Sequence, residues 1–169
     1  VLLVELRTTD ASQLDGMEQR ALAALEGIAL NEPARFTRDP HETELYWFVR
    51  EGMQGFVGKL RPPGTSLIIE DVCVPPARIA EAARDVQALL GKHGFLPSTA
   101  GHASAGNLHF MLTPVLGDPA DVERYDAFIN DLIGLIVEKY DGSLKAEHGT
   151  GRNMAPFVVS GKPEQSLLV

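Results

Sequence analysis

Cysteine is almost missing from this 169-residue chain: Cys73 alone cannot build a disulfide, a cysteine-rich zinc knot or an iron–sulfur cluster. Cations are scarce too. Fifteen Lys and Arg face 23 Asp and Glu for a formal net charge of -8, and their scattering excludes a phosphate-binding surface, so no nucleic-acid partner is expected. No apolar run approaches the roughly 20 residues of a membrane span, and the first residues lack the basic-then-apolar layout of a signal peptide. These absences point to a cytoplasmic setting. The chain also lacks an initiator Met and opens on the apolar run Val1–Leu6, as a fragment of a longer polypeptide would. What it has is a hydrophobic content of 44%, enough for one ordinary core, so one domain is expected over residues 1–169, with residues 158–169 as a disordered tail.

Periodicity supplies the elements. Val1–Thr8 reads as a buried strand, followed by a helix capped at Asp10 or Ser12 with apolar positions Leu14, Met17, Ala21, Leu22, Leu25 and Ile28. A second helix is expected from about His41 to Phe56, before the break Arg61-Pro62-Pro63-Gly64. Leu67–Val74 has the β-branched content of a strand, and Pro75-Pro76 opens a helix to about His93 with the stripe Ile79, Ala82, Ala83, Val86, Leu89 and Leu90. Phe95–His102 and Leu108–Thr113 form a hairpin around the small residues 103–107, and Pro119–Lys139 is an amphipathic helix. Helices mixed with a hairpin predict an α+β fold, a ferredoxin-like antiparallel sheet with helices packed on one face.

Two segments rich in Gly and titratable groups stand out, Gly101–His109 and Ala146–Asn153. A hairpin would bring His102 and His109 together, and Glu147 would complete a His, His, Glu set suited to a divalent metal, whether zinc, manganese or iron. In an extended backbone His148 points away from Glu147, leaving it free to act as a base. From the residues alone, such a histidine pair is more often structural or solvent-exposed, and Glu147-His148 a polar loop. Arg50 then reads as a helix-surface charge, and the chain as a noncatalytic ferredoxin-like module for ligand binding or oligomerisation. A small self-contained metallohydrolase is a third reading.

The stretches Trp47–Gly52, Ile69–Val72, Gly101–His109 and Tyr140–Asn153 resemble the C-terminal domain of FAD-linked oxidases, the group of D-lactate dehydrogenases, glycolate oxidase and D-2-hydroxyglutarate dehydrogenase. Leu60–Thr65 with Tyr140–Asn153 is similar to large bacterial members fused to an iron–sulfur region. The resemblance implies an FAD-dependent 2-hydroxyacid dehydrogenase whose FAD is bound mainly by another domain of the same polypeptide, with the iron–sulfur region as electron-transfer partner. It assigns the metal to His102, His109 and Glu147, the base to His148, the substrate carboxylate to Arg50, and cofactor contacts to Asn107, Arg152 and Asn153. The chain departs from the pattern at Ser104-Ala105, where relatives commonly have Gly-Asp, and at Ile69 and Met111, where some carry lysine and asparagine.

Overall fold

The computed structural model describes residues 2–149 and 151–160, apart from the side chains of residues 53, 54, 57, 152, 153 and 158–160. Of the expected tail, 161–169 lie outside the described residues, while Ala155–Ser160 is a short 3-10 helix. The chain divides into two compact units, Val1–Lys59 and Leu60–Val169.

In the first unit the Asp10 carboxylate accepts from the Ser12 N–H at 3.0 Å and the Ser12 hydroxyl at 2.7 Å, and a 3-10 turn leads into α1 (Leu14–Ala23). The helix stops short of Leu25 and Ile28, ahead of Gly27, which takes a φ of 79°. Asp39 accepts from the His41 N–H at 3.0 Å at the start of α2 (Pro40–Lys59), whose first residue is a proline preset for a first turn. Residues 2–8 do not form the expected strand, and Leu2, Leu3 and Val4 are exposed. β-like composition says that a segment can join a ladder, but the ladder needs a hydrogen-bonded neighbour.

The second unit runs β1 (Ile68–Cys73), α3 (Ile79–Lys92), β2 (Ala100–His102), β3 (Asn107–Leu112) and α4 (Pro119–Ile133), with α4 continuing as a π-helix over Gly134–Lys139. The sheet is three-stranded and antiparallel in the order β1-β3-β2. β2 is shorter than expected because Pro97 cannot donate to a ladder and Phe95 turns into the core instead. The α+β expectation holds. The order β-α-β-β-α gives the first five elements of a ferredoxin-like unit, and an antiparallel bridge from Ser143 to Cys73 occupies the outer edge of β1.

Alternation assigns the two sheet faces. Ile68 and Val72 of β1 and Leu108, Phe110 and Leu112 of β3 are buried with Ala82, Val86 and Leu90 of α3 and Phe128, Ile129 and Leu132 of α4. Phe128 anchors this layer, edge-on to Phe95 and Phe110 at centroid distances of 5.4 and 5.8 Å. The opposite face carries Asp71, Cys73, Asn107, His109 and, from β2, His102.

Candidate metal centre on the open sheet face

Register builds this site. Asp71 stands directly across from His109, and His102 across from Asn107, so the three strands place all four side chains on one face. A 3-10 turn, Ala103–Ala105, closes the hairpin and ends at Gly106 with φ 73°. A side chain could not sit there, since a Cβ would fall 1.9 Å from the Val74 carbonyl oxygen. The last part arrives from far along the chain. Ser143 and Cys73 exchange backbone bonds at 2.9 and 2.7 Å, and Leu144 and Ala146 are buried. Glu147 and His148 follow in a turn, not the expected extended backbone, so that their side chains meet instead of pointing apart.

Three imidazoles surround one carboxylate oxygen. Glu147 Oε1 lies 2.9 Å from His109 Nε2, 3.2 Å from His102 Nε2 and 3.5 Å from His148 Nε2. The His102 ring stands edge-on to His109 at 5.5 Å between centroids, and the His148 ring stacks on His109 at 4.8 Å with an interplanar angle of 19°. Burial separates the roles: the His109 side chain is 6% exposed, against 37% for His102, 42% for His148 and 47% for Glu147. Desolvation holds the His109 pKa below the ordinary imidazole value, the nearby charges of Glu147 and Asp71 only partly opposing it. His109 is therefore neutral near pH 7.

A sequence profile described as FAD linked oxidases, C-terminal domain, matches residues 1–167. The chain belongs to this family. D-2-hydroxyglutarate dehydrogenase of Escherichia coli strain K12 is 27% identical over 155 residues, 88% of this chain and 15% of that protein. Glycolate oxidase subunit GlcD of Bacillus subtilis is 24% identical over 140 residues, 83% of this chain and 30% of that protein. D-lactate dehydrogenase of Archaeoglobus fulgidus is 37% identical over 99 residues, 59% of this chain and 21% of that protein. The chain thus spans between 15% and 30% of the length of these relatives.

In this oxidase C-terminal domain the donor set fits a divalent cation. The ligand atoms of His102, His109 and Glu147 all lie within 4.8 Å of one another. Tetrahedral coordination at ~2.1 Å separates donors by roughly 3.4 Å, close to the distances around Glu147 Oε1. Neutral His109 offers a lone pair without first losing a proton.

The remaining expected residues fall in different places. Asn107 is 5% exposed on the site face, and its side-chain oxygen has no hydrogen-bond partner among the described residues. Arg50 is on α2 in the first unit, its guanidinium 5.8 Å from the Trp47 ring centroid. The side chains of Arg152 and Asn153, on the short helix α5 (Gly151–Met154), lie outside the described residues. Ile69 and Met111 pair across β1 and β3 on the open face, giving the site an apolar margin. Sequence reasoning missed Asp71. Its side chain is 3% exposed and accepts from the His148 backbone N–H at 3.0 Å, and the available signal was the acidic pair Glu70-Asp71 inside an apolar strand.

Proposed function

We propose that residues 1–169 form the substrate- and metal-holding domain of an FAD-dependent D-2-hydroxyacid dehydrogenase. The observation that carries this reading is the convergence of the His102, His109 and His148 Nε2 atoms on Glu147 Oε1, in a chain of the FAD-linked oxidase family. The names of the relatives, which specify D-2-hydroxyglutarate, glycolate and D-lactate, supply the substrate class of small 2-hydroxyacids.

His102, His109 and Glu147 would hold zinc, manganese or iron. When bound, the cation supplies Lewis acidity at the substrate hydroxyl, and FAD, carried mainly by another domain of the same polypeptide, supplies the hydride acceptor. His148 takes the hydroxyl proton at Nε2, the ring nitrogen on the Glu147 side. Arg50 pairs with the substrate carboxylate through the guanidinium fork. Asn107, buried with an unsatisfied side-chain oxygen, contacts the bound cofactor or substrate, and the family resemblance assigns further cofactor contacts to Arg152 and Asn153. An iron–sulfur region elsewhere in the full-length protein would supply the electron acceptor for the reduced flavin. The reading places the protein in the cytoplasm, in keeping with a free Cys73 thiol.

The test uses the full-length protein with a D-2-hydroxyacid and an artificial electron acceptor. His148→Ala should cut turnover by about 100- to 10,000-fold, the usual worth of a general base, and wild-type turnover would eliminate it. His102→Ala and His109→Ala should each deplete bound metal, and a wild-type protein containing none overturns the ligand set.

A further inference from the structure

Asp71 is the most buried charged group of the site and has no place in the mechanism above. Its carboxylate accepts the His148 backbone N–H at 3.0 Å. The same oxygen, Oδ2, is 3.7 Å from His148 Nδ1 and 4.0 Å from His109 Nδ1. On both stacked rings the other nitrogen, Nε2, faces Glu147 Oε1. His109 Nδ1 is buried and has no hydrogen-bond partner among the described residues.

We infer that Asp71 is a positioning residue that sets the tautomer of two imidazoles at once. It holds a proton on Nδ1 of His109, leaving the Nε2 lone pair for a cation, and a proton on Nδ1 of His148, leaving the Nε2 lone pair for the substrate hydroxyl. The physical reason is the side on which a buried carboxylate lies. Both rings lie between two carboxylates, and Glu147 Oε1 is the nearer, 2.9 and 3.5 Å from Nε2 against 4.0 and 3.7 Å from Asp71 to Nδ1. With a cation beside Glu147 to neutralise it, the desolvated Asp71 carboxylate is the anion that keeps the N–H on its own side. Metal-binding histidines are commonly oriented by a carboxylate on their second nitrogen, and a histidine base needs the same control of its tautomer. The two gaps exceed a direct hydrogen bond. A small ring rotation or one bridging water closes them. The backbone bond to His148 fixes the carboxylate meanwhile. Its partner across the ladder is His109 itself, so the pairing of β1 with β3 sets the geometry.

The inference rests on the metal-and-base reading, and the experiment separates the two. In the full-length protein with zinc or manganese at saturating concentration, Asp71→Asn should lower kcat on the order of 100-fold while KM stays within about threefold. Metal affinity should weaken roughly 10- to 100-fold, with one metal per chain in the wild type. Wild-type kcat in Asp71→Asn overturns the inference. So do two metals per chain, because Asp71, His109 and His148 would then be ligands of a second cation. In a His148→Ala background, adding Asp71→Asn should cost less than about threefold in kcat, and a fully additive loss overturns a role through His148. A neutron structure of the zinc-loaded wild-type protein serves even if Asp71→Asn does not fold. Protons on Nδ1 of both rings support the inference, and protons on Nε2 refute it. Wild-type turnover in His148→Ala defeats the underlying reading, whereas a crippled His148→Ala beside an unimpaired Asp71→Asn defeats only the role of Asp71.

Discussion

Replacing Gly101 with alanine should damage the site without altering any side chain that lines it. Gly101 has φ 150°, a region closed to side-chain-bearing residues, and a Cβ there would lie 2.1 Å from the Asn107 carbonyl oxygen and 2.9 Å from its carbon. Non-bonded contacts of this kind need at least about 3 Å, so β2 and β3 must separate by roughly 1 Å at this point. The neighbouring ladder pair is His102 with Asn107, which carries the shift straight to the His102 ring. Metal coordination tolerates about 0.2 Å, while the backbone strain alone costs about 1–3 kcal/mol. Gly101→Ala in the full-length protein should therefore melt lower and bind zinc or manganese weakly, as read by calorimetry and metal analysis. Gly91→Ala is the control. Its Cβ would meet only Pro97 Cβ at 4.0 Å, in ordinary contact inside α3, so it should be neutral or stabilising by about 0.5–1 kcal/mol. A Gly101→Ala protein with unchanged melting and full metal affinity would refute the claim that this strand crossing sets the His102 position.

Two further outcomes test the scaffold. Phe128 is fully buried between Phe95 and Phe110, and Phe128→Ala should destabilise the protein by about 3–5 kcal/mol in denaturant unfolding; a loss under about 1 kcal/mol would show that the core closes over the cavity. Tyr140 is buried and donates its hydroxyl to Asp85, and burial, reinforced by the Asp85 charge, pushes its pKa up to about 12. A raised pKa means stability that is complete below the unfolded value of about 10 and declines as pH rises from there toward about 12. Tyr140→Phe should flatten that alkaline decline, and an unchanged slope would remove Tyr140 as its source.

What the sequence made legible was local. The helix after Pro75-Pro76 followed from a stripe whose members Ala82, Val86 and Leu90 recur every four residues, and all three are fully buried. The hairpin that joins His102 to His109 followed from its small-residue turn, and both rings face the same side because the register pairs Ala100 with His109 and His102 with Asn107. The misses depend on distant partners. Whether residues 2–8 form a strand depends on a neighbour that composition does not name. Asp71 looked like one more polar residue in a strand until its pairing with His109 fixed the face on which its carboxylate stands.

The same pairing explains how an open sheet face can hold a desolvated site. α3 and α4 pack on the other face, so β1 and β3 by themselves would leave Asp71 and His109 facing water. They are nevertheless only 4% and 5% exposed. Part of the cover is the segment that delivers the rest of the site: it bridges to Cys73 through Ser143, brings Glu147 Oε1 to 2.9 Å from His109, and ends with His148 stacked on His109 and bonded to Asp71. Glu147 and His148 thus both complete the donor set and help to keep water from His109, whose desolvation depresses its pKa. Assembly of the donor set and preparation of its neutral ligand are one packing event, and a change that loosens residues 143–148 should impair both together.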